Sequence, residues 1–182
     1  MNTKDNLAWR LNWYRQSELE GALLLGRMAG LAEDGELCRR LTRHAAEEAE
    51  HARLWADAIH RCGMPHIRIH RSYQSFFLSH SGPPASLLEV LCFTQIFERR
   101  VHQRFQDELN EADQPEPVRE ALARMIDDER DHLGWVAGWL RGRPGAAACL
   151  KRFRIIDQQV FDEIQPYEHR INELPGLGRV GG

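Results

Sequence analysis

Apolar side chains recur every three or four positions along most of this chain, a spacing that places them on one face of an α-helix. The pattern predicts five long helices, at about residues 7–29, 36–62, 85–110, 117–140 and 147–165. Gly63 and Pro65 provide a stop signal for the second helix, and Pro117 suits the first turn of the fourth. The first half of the third helix is apolar on nearly all sides, which predicts that it is buried.

The segment between the second and third predicted helices, up to residue 84, has little periodicity and many loop residues. A connection this long is unusual in a compact domain unless it has a structural role. Crossing from one end of a helix bundle to the other is such a role. We therefore expect an all-α fold, with a four-helix bundle over about residues 7–141, a long crossover between helices 2 and 3, and an additional C-terminal helix. The glycine-rich end, about 174–182, is predicted to be a flexible tail.

Composition narrows the classes of protein to consider. The 182 residues fit a single domain, and the formal net charge of −3 gives no electrostatic case for nucleic-acid binding. No apolar run reaches membrane-spanning length, and the N-terminus lacks the apolar stretch of a signal peptide. The four cysteines form no C-x-x-C pair, which excludes a zinc ribbon, a rubredoxin module and a thioredoxin motif. We expect reduced thiols and a cytoplasmic location.

Two Glu-x-x-His tetrads, Glu48 to His51 and Glu129 to His132, carry the candidate chemistry. Residues three apart lie on one helix face, so each tetrad directs a carboxylate and an imidazole to the same side. A chain this rich in Glu and His contains about one such tetrad by chance, so one alone would be weak evidence. Here both lie on apolar stripes, and each follows a glutamate, Glu18 or Glu98, about thirty positions upstream.

The first helix offers two glutamates, and the apolar stripe distinguishes them. Glu18 lies in the middle of the stripe, where a carboxylate is costly to bury without a partner. Glu20 lies on another side of the helix together with Arg27, which is expected to point toward solvent. Glu18 is therefore the predicted metal ligand.

This pattern resembles the ferritin-like di-iron carboxylate superfamily, which includes bacterioferritin, rubrerythrin and the bacterial multicomponent monooxygenases. The resemblance covers about residues 7–140. It is carried by six residues in the family's order, Glu18, Glu48, His51, Glu98, Glu129 and His132. The resemblance implies a ferritin-like four-helix bundle that holds two Fe ions, with Mn as the alternative, and uses O2 as co-substrate.

The resemblance also implies a role for each ligand. Glu48 and Glu129 would be bridging or chelating carboxylates from the two tetrads. The two upstream glutamates would be terminal or bridging carboxylates, and each tetrad histidine would give one nitrogen to one metal. Mixed carboxylate and imidazole ligation suits iron or manganese better than structural zinc, which favours a closed tetrahedral site.

Residues beside these ligands are candidates for supporting roles. In the family an acidic residue just before the tetrad glutamate often holds a metal-bound imidazole, and Glu47 and Asp128 occupy those positions. The arginine that commonly precedes the second histidine is replaced by Asp131. His102, one helical turn after the glutamate of the third helix, is either an extra ligand, a residue supporting a ligand, or a core histidine. The remaining histidines, His44 among them, show no ligand spacing and are interpreted as surface groups.

Three functions are compatible with such a site. We favour an oxidase or monooxygenase that activates O2 toward a small, largely apolar organic substrate, because the third helix is so apolar before its glutamate. The alternatives are a ferroxidase or iron-storage protein and a rubrerythrin-like peroxide-scavenging protein. A separate electron-donor protein and a homodimer are expected as partners, whereas nucleic acid and membrane are not.

Overall fold

The computed structural model describes residues 3–180. Six α-helices lie in this range: α1 (Thr3–Ala29), α2 (Gly35–Arg61), α3 (Tyr73–Ser81), α4 (Leu87–Leu109), α5 (Glu116–Leu140) and α6 (Ala146–Ile164). Two strands, β1 (Ile67–Ile69) and β2 (Gly178–Val180), form a small antiparallel ribbon. The all-α prediction is confirmed, and the five long helices lie where the periodicity places them. None of the described helices is long and apolar enough to cross a membrane.

Local capping explains why the helices begin and end at these residues. The side chain of Asp34 accepts a 2.7 Å hydrogen bond from the backbone N–H of Leu37 at the start of α2. After α2 the chain turns through Gly63, whose φ of 61° lies in the left-handed region that favours glycine. Ser86 caps α4 by accepting a hydrogen bond from the N–H of Glu89. These are sequence-local signals, and for this reason the helix ends were predictable.

The connection between α2 and α4 is more ordered than the sequence pattern predicts. It contains strand β1 and helix α3, where a loop was expected. Phe76 and Phe77 of α3 are fully buried, and Ile67 and Ile69 of β1 are buried on either side of exposed Arg68. A nine-residue helix and a three-residue strand are too short to establish a periodic pattern, which is why the prediction failed here.

The glycine-rich end also differs from the flexible tail predicted over about 174–182. Leu174 and Leu177 are buried, and β2 pairs with β1. A Cβ atom at Gly178 would lie 2.3 Å from the carbonyl oxygen of Arg68, so the close approach of the two backbones requires glycine. Local pattern could not reveal a pairing between segments so distant in sequence. Residues 181–182 lie outside the described part of the chain.

The described residues form two units. The first contains residues up to Gln74, Pro115–Ala121 and those from Pro166 on, and in it α1 packs against α2 and β1. The buried side chain of Asn12 joins α1 to the ribbon: its Oδ1 accepts a hydrogen bond from Ile67 N–H at 3.0 Å, and its Nδ2 donates to Pro65 O at 3.1 Å. One buried amide thus positions α1 against the segment that follows α2.

The second unit contains Ser75–Gln114 and Leu122–Gln165, and in it α4 packs against α6. Every side chain from Val90 to Glu98 is buried, which confirms the prediction for the first half of α4. Arg100 on α4 donates two hydrogen bonds to the carboxylate of Asp157 on α6. This bidentate, partly buried pair ties the predicted fifth helix to α4.

Candidate metal centre

The first unit brings three predicted ligands together. Glu18 comes from α1, and Glu48 and His51 come from α2, and the three side chains are 3%, 2% and 0% exposed. Each offers a ligand atom within 4.8 Å of the others, and His51 Nδ1 lies 3.9 Å from Glu18 Oε2. Two carboxylates and an imidazole thus share one buried space between packed helices, a donor set that suits a divalent cation.

A glycine provides the room for one of these carboxylates. Gly21 lies one turn after Glu18 on α1, and a Cβ atom at this position would be 2.8 Å from Glu48 Oε2. A side chain there would have to displace the carboxylate, because real Cβ atoms do not approach an oxygen so closely. The missing side chain therefore defines part of the cavity that Glu48 occupies.

The structure corrects the interpretation of His44 as a surface group. This side chain is 1% exposed, and its Nε2 lies 3.2 Å from Glu48 Oε1. His44 is four residues before Glu48, so the signal was available in the sequence: the two residues share one helix face. The Glu-x-x-His spacing does not include His44, because this residue precedes the glutamate. Of the other histidines interpreted as surface groups, His60, His66, His70, His80 and His169 are exposed.

The second unit holds the other three predicted ligands. Glu98 lies on α4, and Glu129 and His132 lie on α5, and all three are buried. His132 Nδ1 is 3.9 Å from Glu98 Oε2 and 3.8 Å from Glu129 Oε2. The order of the ligands along the chain therefore repeats that of the first unit, as does the 3.9 Å distance between the histidine Nδ1 and the upstream glutamate.

Two other buried carboxylates in the second unit show how this protein usually neutralises such groups. Glu108 accepts a 2.8 Å hydrogen bond from Arg104, and Asp157 is paired with Arg100. At the candidate centre, the groups found at ion-pair distance from Glu98 and Glu129 include the imidazole of His132. Because buried anionic charge is costly unless neutralised, these His/Glu clusters could hold a metal ion.

The predicted supporting residues have more varied surroundings. Glu47 accepts a 2.6 Å hydrogen bond from Arg43 Nε near the surface of α2, and Asp128 is half-buried. His102 is half-buried, and its Nδ1 atom is enclosed without a hydrogen-bond partner among the described residues. The roles of all three toward a metal stay predictions.

Glu20 is not the solvent-facing residue that the pattern of α1 suggested. It is half-buried and accepts hydrogen bonds from buried Ser72 and, at 3.0 Å, from Gln16. The chain that leaves β1 covers this side of α1, which the sequence of α1 alone could not reveal. Arg27, by contrast, is exposed as expected.

The protein is thus a predominantly helical chain with buried His/Glu clusters compatible with a di-iron site. No family model and no curated protein matches its sequence. The resemblance to the ferritin-like superfamily therefore stays a prediction from the arrangement of these residues.

Proposed function

We propose that this protein is a dinuclear non-haem iron enzyme that activates O2 to oxidise an organic substrate. The proposal assigns α1, α2, α4 and α5 to a ferritin-like bundle, and the segment between α2 and α4 to its long crossover. The observation that carries the proposal is a repeated group of three ligands, which we call a half-site. Each unit buries two glutamates and one tetrad histidine, and the histidine Nδ1 lies 3.9 Å from the upstream glutamate in both.

The donor atoms support iron or manganese as the bound metal. Four carboxylates would balance the charge of two divalent cations, and two neutral imidazoles would complete the donor set. The Gly21 position leaves space for one of the carboxylates. Two ferrous ions, when bound, would supply the two electrons that O2 activation requires. The protein side chains supply the ligands, their orientation and the exclusion of water.

Two aromatic side chains pack against each other one helical turn from the ligands of the first unit. Trp55, one turn after His51, is fully buried, and its ring centroid lies 5.4 Å from that of Tyr14, one turn before Glu18. In the proposed enzyme these rings act as an apolar wall beside the ligands. Such a wall lowers the local dielectric and keeps bulk water from the carboxylates.

We assign Gln95 a role in contacting the substrate. It lies one turn before Glu98 on α4, is 5% exposed, and its Oε1 has no hydrogen-bond partner among the described residues. A buried amide oxygen of this kind costs stability unless a ligand donates to it. In the proposed enzyme, Gln95 binds the one polar group of an otherwise apolar substrate.

The decisive experiment combines metal analysis with O2 consumption by the Fe(II)-loaded protein, with and without a panel of apolar substrates. We expect two metal ions per chain and O2 uptake that a substrate accelerates. His51→Ala and His132→Ala should each lose metal, whereas His60→Ala, an exposed histidine on the same helix as His51, should retain it.

Other outcomes would identify another function. Oxidation of many Fe(II) ions per chain without substrate would replace the proposal with a ferroxidase. Rapid consumption of peroxide but not of O2 would replace it with a rubrerythrin-like peroxidase. Full metal content in both histidine variants would contradict the site itself.

A further inference from the structure

Glu48 lies between two imidazoles of its own helix. His44, Glu48 and His51 are separated by four and three residues, so all three project from one face of α2. His44 Nε2 is 3.2 Å from Glu48 Oε1, and His51 offers a ligand atom within 4.8 Å of the same carboxylate. All three side chains are almost completely buried.

The two oxygens of Glu48 have different neighbours. Oε1 is next to His44, whereas Oε2 occupies the space beside Gly21 of α1. Since Glu18 and His51 cluster with Glu48 without His44, the carboxylate belongs to two groups of possible ligands. A carboxylate placed in this way is suited to bridge two cations, with one oxygen on each.

We infer that His44 is a third imidazole ligand, bound to a different ion from His51, with Glu48 in the bridging role that the resemblance already implies. The inference rests on the proposed dinuclear centre and adds a seventh ligand to the six that the sequence pattern predicted. The His44 nitrogen that would bind the ion lies within hydrogen-bonding distance of Glu48 Oε1, so it is already directed at the carboxylate of the site.

The second unit has no histidine at the position equivalent to His44. The residue four positions before Glu129 is Met125, which is fully buried. A thioether is a soft ligand that hard ferrous or manganous ions do not favour. The tetrad of α5 is therefore preceded by an apolar residue where the tetrad of α2 is preceded by an imidazole. The centre would have three imidazoles in all, from His44, His51 and His132.

Paramagnetic NMR of the Co(II)-loaded protein tests this count. Each imidazole bound to Co(II) gives a strongly shifted, exchangeable N–H resonance, so the wild type should show three. His44→Gln and His44→Met should each show two, and the affinity for one of the two ions should fall at least about tenfold. His44→Met copies the residue found at the equivalent position of α5, so it retains a buried side chain that a helix tolerates. His60→Gln is the control and should retain three resonances.

Each alternative result has a defined meaning. Two shifted resonances in the wild type, unchanged in both His44 variants, would overturn the inference and leave the proposed function intact. Three resonances that persist in the variants would overturn it as well. A wild type that binds no Co(II) would instead overturn the proposed dinuclear centre. Melting curves of the metal-free variants verify that the loss of a resonance reflects ligation and not unfolding.

Discussion

The carboxylate of Glu48 occupies the space that a side chain at Gly21 would fill. A Cβ atom at Gly21 would lie only 2.8 Å from Glu48 Oε2, so the absence of one side chain on α1 determines where a carboxylate of α2 can lie. This relationship links the packing of two helices directly to the geometry of the candidate centre, and it leads to the first prediction.

Gly21→Ala should weaken metal binding without unfolding the protein. The new methyl group would displace the end of a flexible side chain, while alanine in a helix interior favours folding by about 1 kcal/mol over glycine. We expect the metal affinity to fall at least about tenfold, with a metal-free melting temperature that is unchanged or higher. Gly26→Ala is the matched control, because its Cβ would make an ordinary 3.8 Å contact with Ala45. Equal metal binding by both variants would contradict the geometry.

Substitution of the two glutamates of α1 should have separate effects, one on metal binding and the other on the free energy of unfolding. Glu18→Ala should reduce metal content and abolish metal-dependent activity, because it removes a buried carboxylate beside His51. Glu20→Ala should keep both but lower the free energy of unfolding by about 1–3 kcal/mol, since buried Ser72 loses its acceptor. Metal analysis and denaturant titration of the two variants measure this. Reversed effects would mean that Glu20 is the ligand.

Removal of metal should destabilise the protein without unfolding it at ordinary temperature. The apolar cores of both units remain, but the buried glutamates repel each other without cations. A ligand present at about 100 times its Kd stabilises the native state by about 2.7 kcal/mol. For a chain of this size, this corresponds to a rise in Tm of about 5–10 °C. A melting curve that is insensitive to chelator would argue against metal binding at the clusters.

The Arg100–Asp157 pair should contribute measurably to the attachment of α6. Asp157→Ala leaves the partly buried guanidinium of Arg100 without its bidentate partner. We expect the free energy of unfolding to fall by about 1.5–3 kcal/mol. Arg53→Ala removes two ion pairs, with Glu50 and Asp57, that are exposed on both sides, and it should lower the free energy of unfolding much less than Asp157→Ala does. Similar stabilities of the two variants would show that apolar contacts alone hold α6.

Cys92 should resist alkylation in the native protein. Burial, together with a hydrogen-bonding contact to Cys149, raises the pKa of this thiol to about 12. At mildly alkaline pH the folded state therefore retains a proton that the unfolded state releases, and stability should fall as the pH rises above about 8.5. Mass spectrometry after brief iodoacetamide treatment should show Cys38, which is only half-buried, modified before Cys92. Modification of Cys92 at an equal rate would contradict its burial.

The sequence by itself determined the five long helices. It also determined the burial of the six predicted metal ligands, which are Glu18, Glu48, His51, Glu98, Glu129 and His132. Helical periodicity and capping act over a few neighbouring residues, so the position of Glu18 or Glu129 on an apolar stripe can be read from the chain alone. The stop at Gly63 and the cap at Asp34 are equally local.

Only the tertiary structure decided which other polar residues are buried beside those apolar stripes and which groups surround them. His44 is buried in the folded chain although it lies outside the Glu-x-x-His spacing. Glu20 accepts a hydrogen bond from Ser72 because the chain that follows β1 returns to α1. The β1–β2 ribbon joins segments more than a hundred residues apart. Each of these outcomes depends on which element covers a given face, and that depends on packing between distant segments, which a local pattern does not encode.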